Sequence, residues 1–367
     1  MIKNKFFLPF VFFVISSCSS TKNNTVTNDN LSATDLLPYG RTAITNNQLE
    51  LISSAVHFGF SFEGSACEIY ASVPEWLDHN YIQYELDGVY QKRIKISKAQ
   101  SGPIRLTAQG NSKHSIWIYK ATEATTGPVF IEKISGKNIR SIANSNAPLI
   151  EFIGNSITCG AAADASEVPC GSGVYHDQHN AYYAYGPRVA RMLGAHYILS
   201  SVSGIGIYRT WNKLEPSMPQ VYDKTDFQPA GSRHWDFTKY APRIVSIALG
   251  TNDLSNGDGK SPRAPFDSTK FVNAYTSFVQ FVKSKYPNAQ IVLLNSPMVT
   301  GDRNILLQQC LNTIKTNIDT LHPPSKPLLL FSFEPMKARG CTGHPNVDDH
   351  ALLADQLFPF LKNLLLH

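Results

Sequence analysis

The stretch Pro148-Leu149-Ile150-Glu151-Phe152-Ile153-Gly154-Asn155-Ser156-Ile157-Thr158 decides how the second half of the chain folds. Leu149 to Ile153 is a short apolar run of the kind that forms a strand buried on both faces. It passes directly into Gly-Asn-Ser, a turn-and-cap signal at which a helix begins. A serine there stands at the carboxyl end of a strand with its hydroxyl at the positive end of a helix, which is a nucleophile's position. Outward from this point the alternation recurs. Tyr182 to Leu193 reads as a helix stopped by Gly194, and Tyr197 to Val202 and Ile244 to Leu249 read as strands. Lys270 to Lys285 is an amphipathic helix carrying Phe271, Tyr275, Phe278, Val279 and Val282. Strand Ile291 to Leu294, helix Ile305 to Ile318, strand Leu328 to Phe333 and a helix from Ala351 complete the run. Strands alternating with helices over residues 148–367 predict a parallel sheet covered on both faces, with its site at the carboxyl ends of the strands.

Upstream, residues 36–147 have a different texture. Short runs rich in Val, Ile, Tyr and Phe recur at His57 to Phe62, Cys67 to Val73, Tyr81 to Leu86, Gln91 to Ile96, Ile104 to Ala108, Ser115 to Ala121 and Val129 to Ile134, which suits an all-β sandwich. Asp87-Gly88 is a hairpin signal, because a tight primed turn needs positive φ. Nothing in this half resembles a catalytic constellation.

The chain of 367 residues carries 33 Lys and Arg against 28 Asp and Glu, a net +5 that excludes nucleic-acid binding by bulk charge. With 43% hydrophobic and 17% charged residues it can bury a sizeable core, which excludes disorder. At the amino end, Lys3 and Lys5 precede an apolar run from Phe6 to Ile15, too short to span a bilayer and right for an export signal. Ile15-Ser16-Ser17-Cys18 resembles a bacterial lipobox. The expectation is a signal peptide over residues 1–17, lipid attachment at Cys18, a polar tether over 18–35 and an exported, membrane-anchored lipoprotein on the periplasmic or outer face.

The chemistry-bearing residues fall in four blocks. After Gly154-Asn155-Ser156 comes Ser203-Gly204-Ile205-Gly206, where glycine lets the backbone approach a ligand and aim an N–H at it. Gly250-Thr251-Asn252-Asp253 follows the third strand, and His344-Pro345-Asn346 precedes the last helix. Singly, Ser156 reads as an N-cap, Asn252 as a turn former and His344 as a loop histidine. Together, each just beyond a strand or before the last helix, they read as an enzyme.

This arrangement resembles the SGNH (GDSL-like) hydrolases. With Tyr39-Gly40-Arg41-Thr42, Trp235-Asp236-Phe237 and Gly340-Cys341-Thr342-Gly343-His344-Pro345-Asn346, the resemblance narrows to carbohydrate esterase family 2 and covers nearly all of the mature chain. It implies a jelly-roll sandwich followed by a three-layer αβα, flavodoxin-like catalytic domain. It also implies deacetylation of plant polysaccharides, including acetylated xylan and 6-O-acetyl hexosyl residues such as those of glucomannan. Carried over by position, Ser156 is the nucleophile and His344 the general base and acid. The Ser156 and Gly204 backbone N–H groups with the Asn252 amide form the oxyanion hole. No metal or organic cofactor is needed. Oligomeric state leaves no signature.

Two departures stand out. The superfamily usually has Asp at the position of Asn155. The acid that orients the histidine normally lies two or three residues before it, where this chain has Thr342 and Cys341; this predicts a Ser-His dyad in which a backbone carbonyl accepts from His344 Nδ1. Asp348 and Asp349 follow the histidine and read as helix-capping residues. Tyr208 and Trp211 are candidates for an aromatic wall against sugar, with core packing as the other reading. His176, Asp177 and His179 share a loop with metal-ligand character, which polar loop structure explains without an ion; Arg188 and Arg191 read as solvated. If Cys18 carries lipid, five cysteines remain. Cys159 with Cys170 and Cys310 with Cys341 are the preferred disulfides, since each would close a loop beside a motif, and Cys67 reads as a buried thiol; sequence leaves the connectivity open. Two other readings compete with the carbohydrate deacetylase. One is an SGNH lipase, thioesterase or peptidoglycan O-acetyl esterase, and the other is a non-catalytic glycan-binding lipoprotein.

Overall fold

The computed structural model describes residues 1–2, 29–143, 145–323 and 326–366; Cys18 and most of the signal and tether lie outside the described residues. The first half is a nine-stranded antiparallel sheet. Its strands are β1 (Asn30–Ser32), β2 (Thr42–Thr45), β3 (Gln48–Leu51), β4 (His57–Ser72), β5 (His79–Leu86), β6 (Val89–Ser97), β7 (Ile104–Thr107), β8 (Lys113–Lys120) and β9 (Val129–Ser141). The main path runs β2-β3-β9-β4-β8-β5-β6, with β1 on β9 and β7 on β4. Phe58, Phe60, Phe62, Ile69, Ile82, Ile116, Ile118 and Ile131 form its core, each fully buried side chain contributing about 1.5–3 kcal/mol. Asp87 and Gly88 take φ of 51° and 78°, the two left-handed residues that a type I′ hairpin between β5 and β6 requires. Two runs expected as separate strands, His57 to Phe62 and Cys67 to Val73, are the single long β4, which spans 16 residues.

The second half has a five-stranded parallel sheet: β10 (Leu149–Gly154), β11 (His196–Ser201), β12 (Ile244–Ala248), β13 (Gln290–Leu294) and β14 (Leu329–Phe331), in the order β11-β10-β12-β13-β14. In this order the chain leaves β10 to one side for β11 and returns to the other for β12, so a crevice opens at the carboxyl end of β10. Helices α1 (Ser156–Cys159), α2 (Tyr185–Met192), α3 (Met218–Val221), α4 (Ser268–Lys285), α5 (Gly301–Leu321) and α6 (Val347–Leu366) connect the strands. Phe271, Tyr275 and Val279 of α4 with Leu307 and Ile314 of α5 cover one face through Ile153, Val245 and Ile247. Val189 of α2 with Leu353 and Leu357 of α6 cover the other through Ile150, Phe152 and Val292. Helix α6 begins four residues before Ala351, because Asn346 and Asp349 cap each other: Asn346 Oδ1 accepts from Asp349 N and Asp349 Oδ2 from Asn346 N, at 2.8 and 3.1 Å.

The halves are joined by buried polar contacts. Arg41, 1% exposed, leaves the first domain and lies over the rings of Phe227, Tyr222 and Trp235 at 4.1, 5.1 and 4.9 Å, donating to Ser200 Oγ and to the Lys224 carbonyl. Gln83 Nε2 donates to Asn180 Oδ1 at 2.6 Å, and Arg93 donates to the carbonyls of Asp177 and His179. Burying a guanidinium is costly unless its donors are met; both terminal nitrogens of Arg41 are, while its Nε has no hydrogen-bond partner.

Candidate active site

Strand β10 ends at Gly154, where a Cβ would stand 2.1 Å from Thr158 Oγ1, so only glycine lets the chain turn this tightly into α1. Asn155 then does what the commoner aspartate would do at this turn: its Oδ1 accepts from Ile157 N at 3.0 Å and caps the helix. Helix α1 is one turn ending at left-handed Gly160, so the macrodipole expected behind Ser156 is reduced to the local N–H groups.

His344 Nε2 lies 2.9 Å from Ser156 Oγ. On its other nitrogen, Nδ1 lies 3.0 Å from the Thr342 hydroxyl. The expected backbone carbonyl is therefore not the sole partner; a side-chain hydroxyl occupies the acid's place, and main-chain contacts with Cys341 and Thr342 add to it. With Nδ1–H donating to Thr342, Nε2 presents its lone pair to the serine hydroxyl. Burial lowers the His344 pKa, His179 adds to the effect, and the main chain with Glu123 opposes it. The ring rests neutral, as a base must.

Gly204 has φ +76°, a conformation that favours glycine, and a Cβ there would meet Trp211 Cδ1 at 2.7 Å. Asn252 Nδ2 donates one hydrogen to the Ile205 carbonyl at 2.8 Å, which orients the amide and leaves its second hydrogen for a ligand. Ser156, Gly204, Trp211, Asn252 and His344 line one cleft of about 540 Å³, with Tyr175, Ser203 and Met298 among its other walls. Asp253, fully buried and with its pKa pushed up to about 6 by burial, accepts from the N–H groups of Ile207 and Tyr208. It thereby ties the second block to the third. A Cβ on Gly206 would strike this carboxylate at 2.4 Å, which accounts for the second glycine of Ser203-Gly204-Ile205-Gly206.

One residue of this floor has no signal in the second-half motifs. Glu123, in the β8–β9 connection of the first domain, is 1% exposed and accepts from Ser203 N at 2.6 Å. His179 Nε2 lies 3.4 Å and Cys159 Sγ 3.6 Å from its carboxylate. The sequence cue was a charged residue two positions after the apolar strand Ser115 to Ala121, too common to single out.

Several expectations are corrected. Tyr208 is not at the cleft; it packs against Phe266 and Phe271 and its hydroxyl accepts from Asp267 N, while Trp211 lines the cleft and is 44% exposed. Among the described residues the disulfide is Cys170–Cys341. Cys159 and Cys310 are free and buried, Cys159 beside Ser201 Oγ at 3.2 Å and Cys310 on the core-facing side of α5. Both preferred pairs fail because each took a core thiol for a loop thiol. Cys67 is free and buried, and burial pushes its pKa up to about 12. Arg188 and Arg191 are not simply solvated: they stack on the rings of Tyr183 and Tyr182 at 4.6 and 3.7 Å and donate to the carbonyls of those residues. Of the loop ligands, His176 and Asp177 meet His79 of β5 rather than His179, with donor atoms within 4.8 Å of one another. His79 Nε2 pairs with Asp177 Oδ1 at 2.6 Å and Nδ1 with Asp78 at 2.7 Å, so these groups already satisfy each other across the domain boundary.

A serine hydroxyl on a histidine ring, with a glycine and an asparagine lining the same cleft at the switch point of a parallel sheet, defines a serine hydrolase of the SGNH (GDSL-like) class. Residues 152–322 match the model of the GDSL-like Lipase/Acylhydrolase family, and residues 39–143 match that of the Carbohydrate esterase 2 N-terminal domain. The chain thus carries a carbohydrate esterase 2 N-terminal domain followed by a GDSL-like domain, and its homologues are family 2 carbohydrate esterases. It is 26% identical over 360 residues to an acetylxylan esterase / glucomannan deacetylase of Cellvibrio japonicus, covering 96% of both chains. It is 29% identical over 300 residues to the cellulase/esterase CelE of Acetivibrio thermocellus, covering 78% of this chain but only 34% of that longer protein. Among solved structures, a family two carbohydrate esterase from Clostridium thermocellum in complex with cellohexaose superposes with a TM-score of 0.78 at 25% identity, over 90% of this chain and 99% of the other. One from Cellvibrio japonicus gives 0.79 at 25%, over 92% and 98%.

Proposed function

We propose that this esterase removes O-acetyl groups from plant polysaccharides, with acetylated xylan and glucomannan as its substrate class. The observation that carries the reading is the 2.9 Å contact between Ser156 Oγ and His344 Nε2 inside a cleft that Gly204 and Asn252 also face. Ser156 Oγ attacks the acetyl carbonyl carbon while His344 Nε2 takes its proton. The oxyanion meets the Ser156 and Gly204 N–H groups and the free hydrogen of the Asn252 amide, each such donor being worth roughly 2.7–4 kcal/mol in a preorganised site. Imidazolium then protonates the leaving sugar alkoxide, and water activated by the same ring hydrolyses the acetyl-enzyme. Trp211, large, flat and half-exposed at the cleft, suits a sugar face. The full-length protein should release acetate from both polymers, with loss in Ser156→Ala and His344→Ala; no release above the Ser156→Ala background, on these polymers or on p-nitrophenyl acetate, would return the chain to the glycan-binding reading.

We propose further that the protein is anchored through lipid on Cys18, on the motif Ile15-Ser16-Ser17-Cys18 and the apolar run before it. Among the described residues no helix is long and apolar enough to cross a membrane. Radiolabelled palmitate incorporation in the producing cell, lost in Cys18→Ala, tests it.

A further inference from the structure

Glu123 belongs to a different domain from every residue in the four blocks, yet it lies beneath them. Its carboxylate accepts from the N–H of Ser203, the residue before Gly204. His179, on the opposite side, accepts from Ala162 N at Nδ1, so its hydrogen sits on Nε2, the nitrogen that faces Glu123. Lys120, also buried, directs Nζ to Thr122 O, Thr122 Oγ1 and the Glu123 carbonyl rather than to the carboxylate. The Tyr175 ring packs edge-on against both His179 and His344, with centroids 4.7 and 6.2 Å away, and joins the Glu123 pair to the catalytic ring.

We propose that Glu123, supplied by the β-sandwich, is a positioning residue of the esterase centre: it fixes the Ser203–Gly204 turn that aims the Gly204 N–H into the cleft, and it keeps a buried negative charge behind His344 in a chain that has no acid at Thr342 or Cys341. The inference rests on the esterase reading for its kinetic part only. Burial would raise the Glu123 pKa, but donation from His179 and Ser203 outweighs it and brings the value down to about 2, so the carboxylate is charged throughout the working range. The titratable groups facing His344 are Tyr175, His179 and Glu123, with His350 of α6. Of these, Glu123 alone favours imidazolium.

The test uses full-length wild type, Glu123→Gln and Glu123→Asp. Gln keeps the shape and removes the charge; Asp keeps the charge and withdraws it from Ser203. In Glu123→Gln, kcat on p-nitrophenyl acetate should fall about tenfold with KM little changed, and the acidic limb of kcat/KM should move to lower pH, because imidazolium loses its support. In Glu123→Asp, kcat should fall while the limb stays. Ring-proton titration of His344 by NMR, assigned with His344→Ala, reads the same shift without turnover; an inactive wild type would remove the esterase reading yet leave this measurement intact. A folded Glu123→Gln protein with unmoved His344 titration and wild-type kcat would overturn the proposal. If Glu123→Gln does not fold, wild-type kcat in Glu123→Asp would do so.

Discussion

Gly204→Ala tests the oxyanion geometry at its most constrained point. Two costs coincide there. The φ of +76° places an alanine in the left-handed region at roughly 1–2 kcal/mol, and the new Cβ would stand 2.7 Å from Trp211 Cδ1, closer than carbon atoms pack. Trp211 is not free to retreat as a whole, because its backbone N–H donates to the Gly204 carbonyl at 2.8 Å. Either the indole rotates toward solvent, or the turn shifts and carries the Gly204 N–H away from the oxyanion. Loss of one such donor lowers kcat about 10²–10³-fold. We expect a fall of at least tenfold in kcat on p-nitrophenyl acetate, a substrate too small to need the Trp211 wall, and a Tm lower by a few degrees. The double variant Gly204→Ala/Trp211→Ala removes the clash and retains the φ strain, so it should recover part of kcat and none of the Tm. Wild-type kcat in Gly204→Ala would refute the role given to this N–H, and equal kcat in single and double variants would refute the steric argument.

Three further expectations follow from the histidine and its loop. Because burial lowers the His344 pKa and the ring must be neutral to accept the serine proton, kcat/KM should rise with pH through a midpoint below the ordinary histidine value of about 6.5 and hold above it; a midpoint above that value in a pH-rate profile would contradict the resting state described. Thr342→Asp puts a carboxylate beside Nδ1 at a position with φ +51°, which aspartate tolerates better than threonine; kcat should rise several-fold and the acidic limb move to higher pH, as a pH-rate profile would show. Cys170→Ala opens a cross-link between positions 171 apart and frees the loop holding His344; calorimetry should show a loss of about 2–5 kcal/mol, and kcat should fall more than KM rises.

How much of this could be read beforehand depended on the distance over which each feature is determined. Strand β10 was legible because burial on both faces leaves an apolar run, although Glu151 in its middle is fully buried and needs Ser200 and Tyr222 as donors, which only the fold brings to it. The hairpin at Asp87-Gly88 was legible because it is local. The hairpin of β2 and β3 was not singled out, since its turn is Asn46-Asn47, both at positive φ without a glycine to mark them. The Ser156–His344 pair came from residues 188 apart, and its order along the chain was enough because each lies at a strand end or before a helix. The disulfide and Glu123 escaped for the opposite reason. Cys170 finds Cys341, and Glu123 finds Ser203, only after distant loops have docked, and no periodicity records that docking.

Arg41 carries a consequence for how such a protein can be inherited and cut. A guanidinium sunk among Phe227, Tyr222 and Trp235 of one domain while anchored in the chain of the other makes each half the solvent-excluding wall of its neighbour. Neither half can be lost in a gene rearrangement without leaving the other with an open, charged cavity, so the pair should pass between genomes as one indivisible cassette, and proteases should trim its ends without ever releasing a working half.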